Sequence, residues 1–121
     1  MIIDTSAIVA ILNDEPERET FNKIIEQAQS RLMSTATFVE TSLVIEGRRD
    51  YDGLRDFDLL LAVATIELVA VDNEQAHIAR QAFRQYGKGK HKAGLNFGDC
   101  FAYALSKTTG LPLLFKGNDF F

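Results

Sequence analysis

The stretch Met1-Ile2-Ile3-Asp4-Thr5-Ser6-Ala7-Ile8-Val9-Ala10-Ile11-Leu12 decides the fold class of this chain. A short apolar run ends at an aspartate, two small hydroxyl residues of the helix-capping type follow, and Ile8, Val9, Ile11 and Leu12 supply the next apolar positions. The simplest reading is a buried strand that runs straight into a helix.

Working outward, the same alternation recurs. Asp14-Glu15-Pro16-Glu17 combines a cap-type aspartate, an early proline and an acid three residues after the cap, so a second helix is expected over about residues 15 to 29, with Phe21, Ile24, Ile25 and Ala28 forming one apolar stripe. Arg31 to Ser34 reads as a short strand. A helix from about Thr35 follows, carrying Val39, Leu43 and Val44 on one side and ending at Gly47-Arg48-Arg49. Leu54, Phe57, Leu61 and Ala64 repeat at helical spacing, and Leu68 to Val71 alternates too little for an exposed sheet face, which suggests a buried strand. Asp72 and Gln75 form a capping-box pattern, opening a helix with Ala76, Ala79, Phe83 and Tyr86 on one face and Gly87 at its end. Residues 87 to 96, rich in glycine and lysine, form a loop; a helix over about 98 to 109 buries Phe101, Ala102 and Leu105, and Leu111 to Phe115 is a last apolar strand. Short apolar strands alternating with amphipathic helices imply an α/β fold, a mostly parallel sheet covered on both faces.

Composition sets the bounds. The chain has 121 residues, 46% of them apolar and 25% charged. That suits one domain with its own core, residues 1–121. No apolar run approaches the roughly 20 residues of a spanning helix, and Met1 to Asp4 lack the basic and apolar regions of a signal peptide. A cytoplasmic protein is therefore expected. A single cysteine, Cys100, excludes an intrachain disulfide and reads as a buried core thiol. His77 and His91 have no zinc-type spacing and read as surface residues. A net charge of −4 argues against binding nucleic acid through bulk positive field. With four of its 17 acids set aside as metal ligands, however, the chain has as many acids left as its 13 basic residues, and a polyanion could be drawn by bound cations and a local basic patch.

In parallel α/β sheets ligands bind beyond the carboxyl ends of the strands, which singles out the acids at strand exits. Asp4 follows the first strand and Asp119 the last; Glu40 lies about a turn into the third helix, and Asp99 opens the helix after the lysine loop. Each has an ordinary structural reading: Asp4 and Asp99 as helix-end acids, Glu40 with Thr37 as a capping box, Asp119 as a turn residue. Four acids converging without matching Arg or Lys, however, would repel unless a multivalent cation lay among them. Hard oxygen ligands point to Mg2+, with Mn2+ as the alternative, and to one or two metals activating water on a phosphodiester. Thr5 or Ser6 could hold a metal-bound water or phosphate oxygen as readily as a cap. Lys88, Lys90 and Lys92 could hold phosphates, whereas Phe97, Phe101 and Phe115 fit core spacing.

Four segments carry a family resemblance: Ile2-Ile3-Asp4-Thr5-Ser6, Thr37-Phe38-Val39-Glu40-Thr41, Leu95 to Ala104 around Asp99, and Leu114 to Phe120 around Asp119. In order, they resemble the motifs of PIN-domain proteins and, more narrowly, the VapC toxins of bacterial toxin-antitoxin pairs. The resemblance implies a PIN-like three-layer α/β/α fold with a mostly parallel sheet of four to five strands. It also implies magnesium-dependent endoribonuclease activity on structured RNA such as tRNA or ribosomal RNA, a homodimer, and a cognate VapB-type antitoxin. It assigns the acidic cluster to Asp4, Glu40, Asp99 and Asp119, with Ser6 as a polar helper. Members usually continue for some residues beyond the fourth motif, whereas this sequence ends at Phe121. Two other classes compete. A receiver-like signalling domain would use Asp72 as its phosphoacceptor and Lys116 at a strand end, but Asp4 is followed by Thr5-Ser6 rather than a paired acid; a haloacid-dehalogenase phosphatase would need an Asp where Ser6 stands. A non-catalytic PIN-like binding module is the remaining alternative.

Overall fold

The computed structural model describes residues 1–117. Asp119, the fourth acid of the expected cluster, lies outside the described residues. In chain order the elements are β1 (Ile2–Ile3), α1 (Thr5–Leu12), α2 (Arg18–Gln27), β2 (Leu32–Ser34), α3 (Thr35–Val63), β3 (Glu67–Val69), α4 (Asn73–Tyr86), α5 (Phe97–Thr109) and β4 (Leu113–Leu114).

The four strands form one sheet in the order β3-β2-β1-β4, every pairing parallel. Ile2 pairs with Leu32 on one side and Leu113 on the other, so β1 is central and entirely buried. The chain steps outward from β1 to β3 and returns to add β4 on β1's free side, which puts the switch in strand order between β1 and β4. The first and last strands of the described chain are therefore neighbours, the condition for Asp4 to meet the chain after β4.

Successive strand residues point to opposite faces, and two cores result. On one face Ile3, Met33 and Leu114 pack with Ile8 and Ile11 of α1, Phe21 and Ile25 of α2, and Phe57 of α3. On the other, Leu113 lies against Ala79, Ala82, Leu95, Cys100 and Ala104 from α4, α5 and the segment before it. The α/β/α layering follows from this division. Cys100 is buried, as its apolar helical context suggests. No helix among the described residues is long and apolar enough to cross a membrane.

Several expectations are corrected. The second helix begins at Arg18, not near residue 15, and Asp14 does not cap it: Asp14 has φ 52° and pairs with Arg18 at 3.6 Å, while Glu15 and Glu17 turn to Lys116. The third helix does not stop at Gly47-Arg49; it carries on to Val63 across a break at Asp50 (φ 56°, ψ −150°). Ser34 caps it by accepting from the Ala36 N–H at 3.2 Å, so Thr37 lies inside the helix and the Thr37–Glu40 capping box is not used. Val39 and Leu43 are 54% and 67% exposed and so form no part of the core. The strand at Leu68 is short and lies on the sheet edge, with Leu68 40% exposed rather than buried. His77 is exposed as expected, but His91 is half-buried, its ring edge-on to Tyr86 at 5.2 Å.

Candidate active site

Asp4 leaves β1 in extended geometry and caps α1: its Oδ2 accepts from the Ser6 N–H at 3.1 Å and from the Ser6 hydroxyl at 2.7 Å. Ser6 Oγ in turn accepts from the backbone N–H of Lys116 at 2.8 Å, and the Asp4 N–H donates to the carbonyl of Leu114 at 3.1 Å. Ser6 thus ties the exit of β1 to that of β4. The supporting position foreseen for it is structural as well as polar.

Thr5, one residue on, reaches the third helix. Its hydroxyl donates to Glu40 Oε1 at 2.6 Å and lies 2.9 Å from Thr41 Oγ1, which donates to the Thr37 carbonyl at 2.8 Å. Thr37 and Thr41 are fully buried, so this hydroxyl ladder fixes Glu40 against α1. The Glu40 carboxylate also lies against Gly98, where any Cβ would overlap it. A glycine here lets the first turn of α5 approach an acid from α3.

Asp99 is the N3 residue of α5. It closes a capping box with Asn96, giving Asn96 N–H to Asp99 Oδ2 at 3.0 Å and Asp99 N–H to Asn96 Oδ1 at 2.9 Å. Its capping reading is therefore realised, yet it is only 6% exposed and lies one residue from the glycine that touches Glu40.

Asp4 is 2% exposed, and its Oδ1 finds no hydrogen-bond partner among the described residues. Burial pushes its carboxyl above the usual carboxylate value; the hydrogen bonds from Ser6 oppose this and the nearby Glu40 charge adds to it. Among the described residues no Lys or Arg forms an ion pair with Asp4 or Glu40; Lys116 is held by Glu15 at 2.6 Å and Glu17 at 3.3 Å instead. A buried carboxylate with one unpartnered oxygen, facing a second acid and no counter-charge, suits a hard divalent cation. Among the described residues no three His, Cys, Asp or Glu side chains come together as a group that could hold a metal ion, so Asp4, Glu40 and Asp99 do not by themselves form one. Magnesium does not need three, since it keeps several waters and commonly takes one or two carboxylates.

The structure thus joins Asp4 to Ser6 and Thr5 to Glu40 by hydrogen bonds, with the Asp4 and Glu40 carboxyls near enough for their charges to interact, and Asp99 follows in the chain the glycine that touches Glu40. Lys88, Lys90 and Lys92 are exposed, on a loop closed by the Gly87–Leu95 bridge, and Lys90 lies over the Phe83 ring at 5.2 Å. Phe97 is a correction: read as core, it is 78% exposed at the start of α5. Thr41 and Gly98 were not singled out by sequence. The glycine directly before Asp99 at a helix start was the available signal; Thr41 had none, because its role depends on α3 lying against α1.

The profile of the PIN domain matches residues 1–121. The chain belongs to the PIN-domain family. This PIN domain is 58% identical over 120 residues to the VapC ribonuclease Mb0640 of Mycobacterium bovis and to ribonuclease VapC30 of Mycobacterium tuberculosis, covering 99% of this chain and 92% of each relative. It is 56% identical to ribonuclease VapC of Mycolicibacterium smegmatis, covering 99% of this chain and 93% of that protein. Within the family it is of the VapC type. In fold it resembles the crystal structure of Mycobacterium tuberculosis VapC20, a Sarcin-Ricin loop cleaving toxin, with a TM-score of 0.78 at 13% identity over 98% of this chain and 90% of the other. The receiver alternative has no support in this PIN domain: Asp72 follows the edge strand β3, two strands away from Asp4, and caps α4.

Proposed function

We propose that this PIN domain is a divalent-metal-dependent endoribonuclease, the toxin of a type II toxin-antitoxin pair, acting in the cytoplasm on structured RNA such as tRNA or ribosomal RNA. The observation that carries the reading is the buried, half-unpartnered Asp4 carboxylate facing Glu40 at the sheet's switch point. The names of its VapC relatives support a ribonuclease; a VapB-type antitoxin and a second copy of the chain are the partners this reading adds.

Asp4 and Asp99, with Asp119, would hold Mg2+ or Mn2+, which when bound acidifies water and offsets charge on the phosphate. The chain's own groups do the rest. Ser6 orients Asp4 through Oδ2 and leaves Oδ1 for the cation. Glu40, held through Oε1 by the Thr5 hydroxyl, accepts the proton of the water that attacks phosphorus. The Asn96 capping box fixes Asp99 at the positive end of α5, where an RNA phosphate is also favoured.

Incubating the chain with RNA and magnesium, beside Asp4→Asn and Asp99→Asn versions, tests this reading. Cutting that needs magnesium and fails in both variants is expected; equal cutting by all three rejects it. A folded chain that binds no metal in a titration would favour a non-catalytic PIN-like module instead.

A further inference from the structure

Glu15 and Glu17 flank Pro16 in the turn between α1 and α2. Both carboxylates meet one ammonium: Lys116 Nζ lies 2.6 Å from Glu15 Oε1 and 3.3 Å from Glu17 Oε1. The turn that presents them is fixed by its backbone, with the Glu15 N–H donating to the Ala10 carbonyl at 2.9 Å and the Glu17 carbonyl accepting from the Phe21 N–H at 2.9 Å. Glu17 Oε1 is buried and makes no hydrogen bond among the described residues, so the Lys116 charge is what offsets it. The three side chains are between 28% and 37% exposed, which sets them apart from a fully solvated surface pair.

The other contact of Lys116 is its peptide N–H, which donates to Ser6 Oγ at 2.8 Å, while Ser6 donates its hydroxyl to Asp4 Oδ2 at 2.7 Å. A hydroxyl has one proton and two lone pairs. With the Lys116 N–H on a lone pair, the Ser6 proton is left for Asp4, whose Oδ2 takes both Ser6 donors while Oδ1 stays bare. Lys116 stands two residues beyond β4, so strand pairing alone does not fix this peptide. One residue therefore grips α1 at both ends: its backbone the first turn, at Ser6, and its side chain the turn that follows, at Glu15 and Glu17.

We propose that Glu15, Glu17 and Lys116 are positioning residues for the acid site: the ion pairs hold the Lys116 peptide on Ser6, and Ser6 then keeps Asp4 turned with Oδ1 free for the cation. The proposal rests on the metal-dependent reading and adds to it three residues that act through Ser6. Partners that orient a ligand carboxylate set metal affinity as well as the ligand itself does. A slack Lys116 peptide would free the Ser6 hydroxyl to rotate, and the Asp4 carboxylate would lose the contact that distinguishes its two oxygens.

The test compares the full chain with its Glu15→Gln, Lys116→Met and Lys116→Arg versions, all checked for fold by circular dichroism. In EDTA, the amide of residue 116 should exchange with deuterium about 3- to 10-fold faster in Glu15→Gln and Lys116→Met than in wild type, because the peptide is held less firmly. In calorimetric titration with Mn2+ and no RNA, the same two variants should bind about 3- to 10-fold more weakly. Lys116→Arg, which keeps the charge, should restore both. Mn2+ affinity equal to wild type in Glu15→Gln and Lys116→Met overturns the proposal even where their melting temperatures fall, since a purely structural ion pair would change only stability. Unchanged exchange at residue 116 overturns it as well. Wild type that binds no Mn2+ rejects the metal reading itself, a different result from wild type that binds and variants that match it.

Discussion

Two junctions of this molecule share one local design and differ in everything else. Asp4 and Asp72 each follow a parallel strand, each sits in extended backbone, and each caps the next helix: Asp4 accepts from the Ser6 N–H at 3.1 Å, Asp72 from the Gln75 N–H at 2.8 Å. But β1 is central and β3 is the edge. Asp4 is consequently enclosed by β4, α3 and α5 at 2% exposure, while Asp72 stays in water. Capping stabilises a helix start in either place; a carboxylate buried beside a second acid is a cost that only a bound cation readily offsets.

The comparison can be broken most directly by activity. On the proposed reading, Asp4→Asn should reduce RNA cleavage in magnesium by at least roughly 100-fold, whereas Asp72→Asn should leave it within about twofold, because only the first removes a charge from the proposed metal site. Equal losses in an oligonucleotide cleavage assay would show that a cap is all either residue provides. Gly98→Ala sharpens the same contrast from the opposite wall. Its Cβ would displace the Glu40 carboxylate, and cleavage should fall by about 10- to 100-fold with the fold retained by circular dichroism.

Stability should move in opposite directions at the two junctions. Asp72→Ala loses a cap and should cost about 1 kcal/mol in urea denaturation. Asp4→Asn keeps a good cap and removes a buried charge, so in chelator it should be more stable than wild type at neutral pH. The sign follows from the raised Asp4 carboxyl: the folded state binds that proton more tightly than the unfolded chain, so wild type loses stability as pH rises through the interval between the ordinary carboxylate value and the raised one. The advantage of the Asn variant should therefore vanish below the ordinary range and open above it. Added magnesium should raise the melting temperature of wild type and not of Asp4→Asn. A variant less stable than wild type at every pH would contradict the assigned burial cost.

The smallest effect concerns Cys100, beside Asp99. Burial, with the Asp99 charge adding, pushes its thiol up to about 11, so at pH 8 it is almost wholly protonated. Iodoacetamide should label it far more slowly in the folded chain than in urea.

What could be read ahead of the structure had short range. The Ile2-Ile3-Asp4 strand exit, the Asp72 cap, the Gly87 and Gly110 helix ends and the start of α3 at Thr35 all depend on neighbours within a few residues. The misses depend on distant chain. Val39 and Leu43 have core-like spacing, yet only the placement of α3 decides that their side faces out. Phe97 follows the same logic: its spacing to Phe101 suits a core, but the α4–α5 packing leaves it on the rim of a cleft. Asp14 resembles a cap until Glu15 and Glu17 turn toward Lys116, about 100 positions along a chain whose first and last described strands pair.

The sequence by itself determined the order of the strands, the caps at Asp72 and Gly110, and the acids at the β1 exit and the α5 start, because hydrophobic period and capping chemistry act over one or two turns. Only the tertiary structure decided that β1 lies between β2 and β4, that Glu40 reaches Thr5 while Asp72 stands apart, and that Phe97 faces solvent. Strand order and burial come from pairings between segments far apart in the chain, and it is burial, not residue type, that turns an aspartate from a helix cap into a candidate metal ligand.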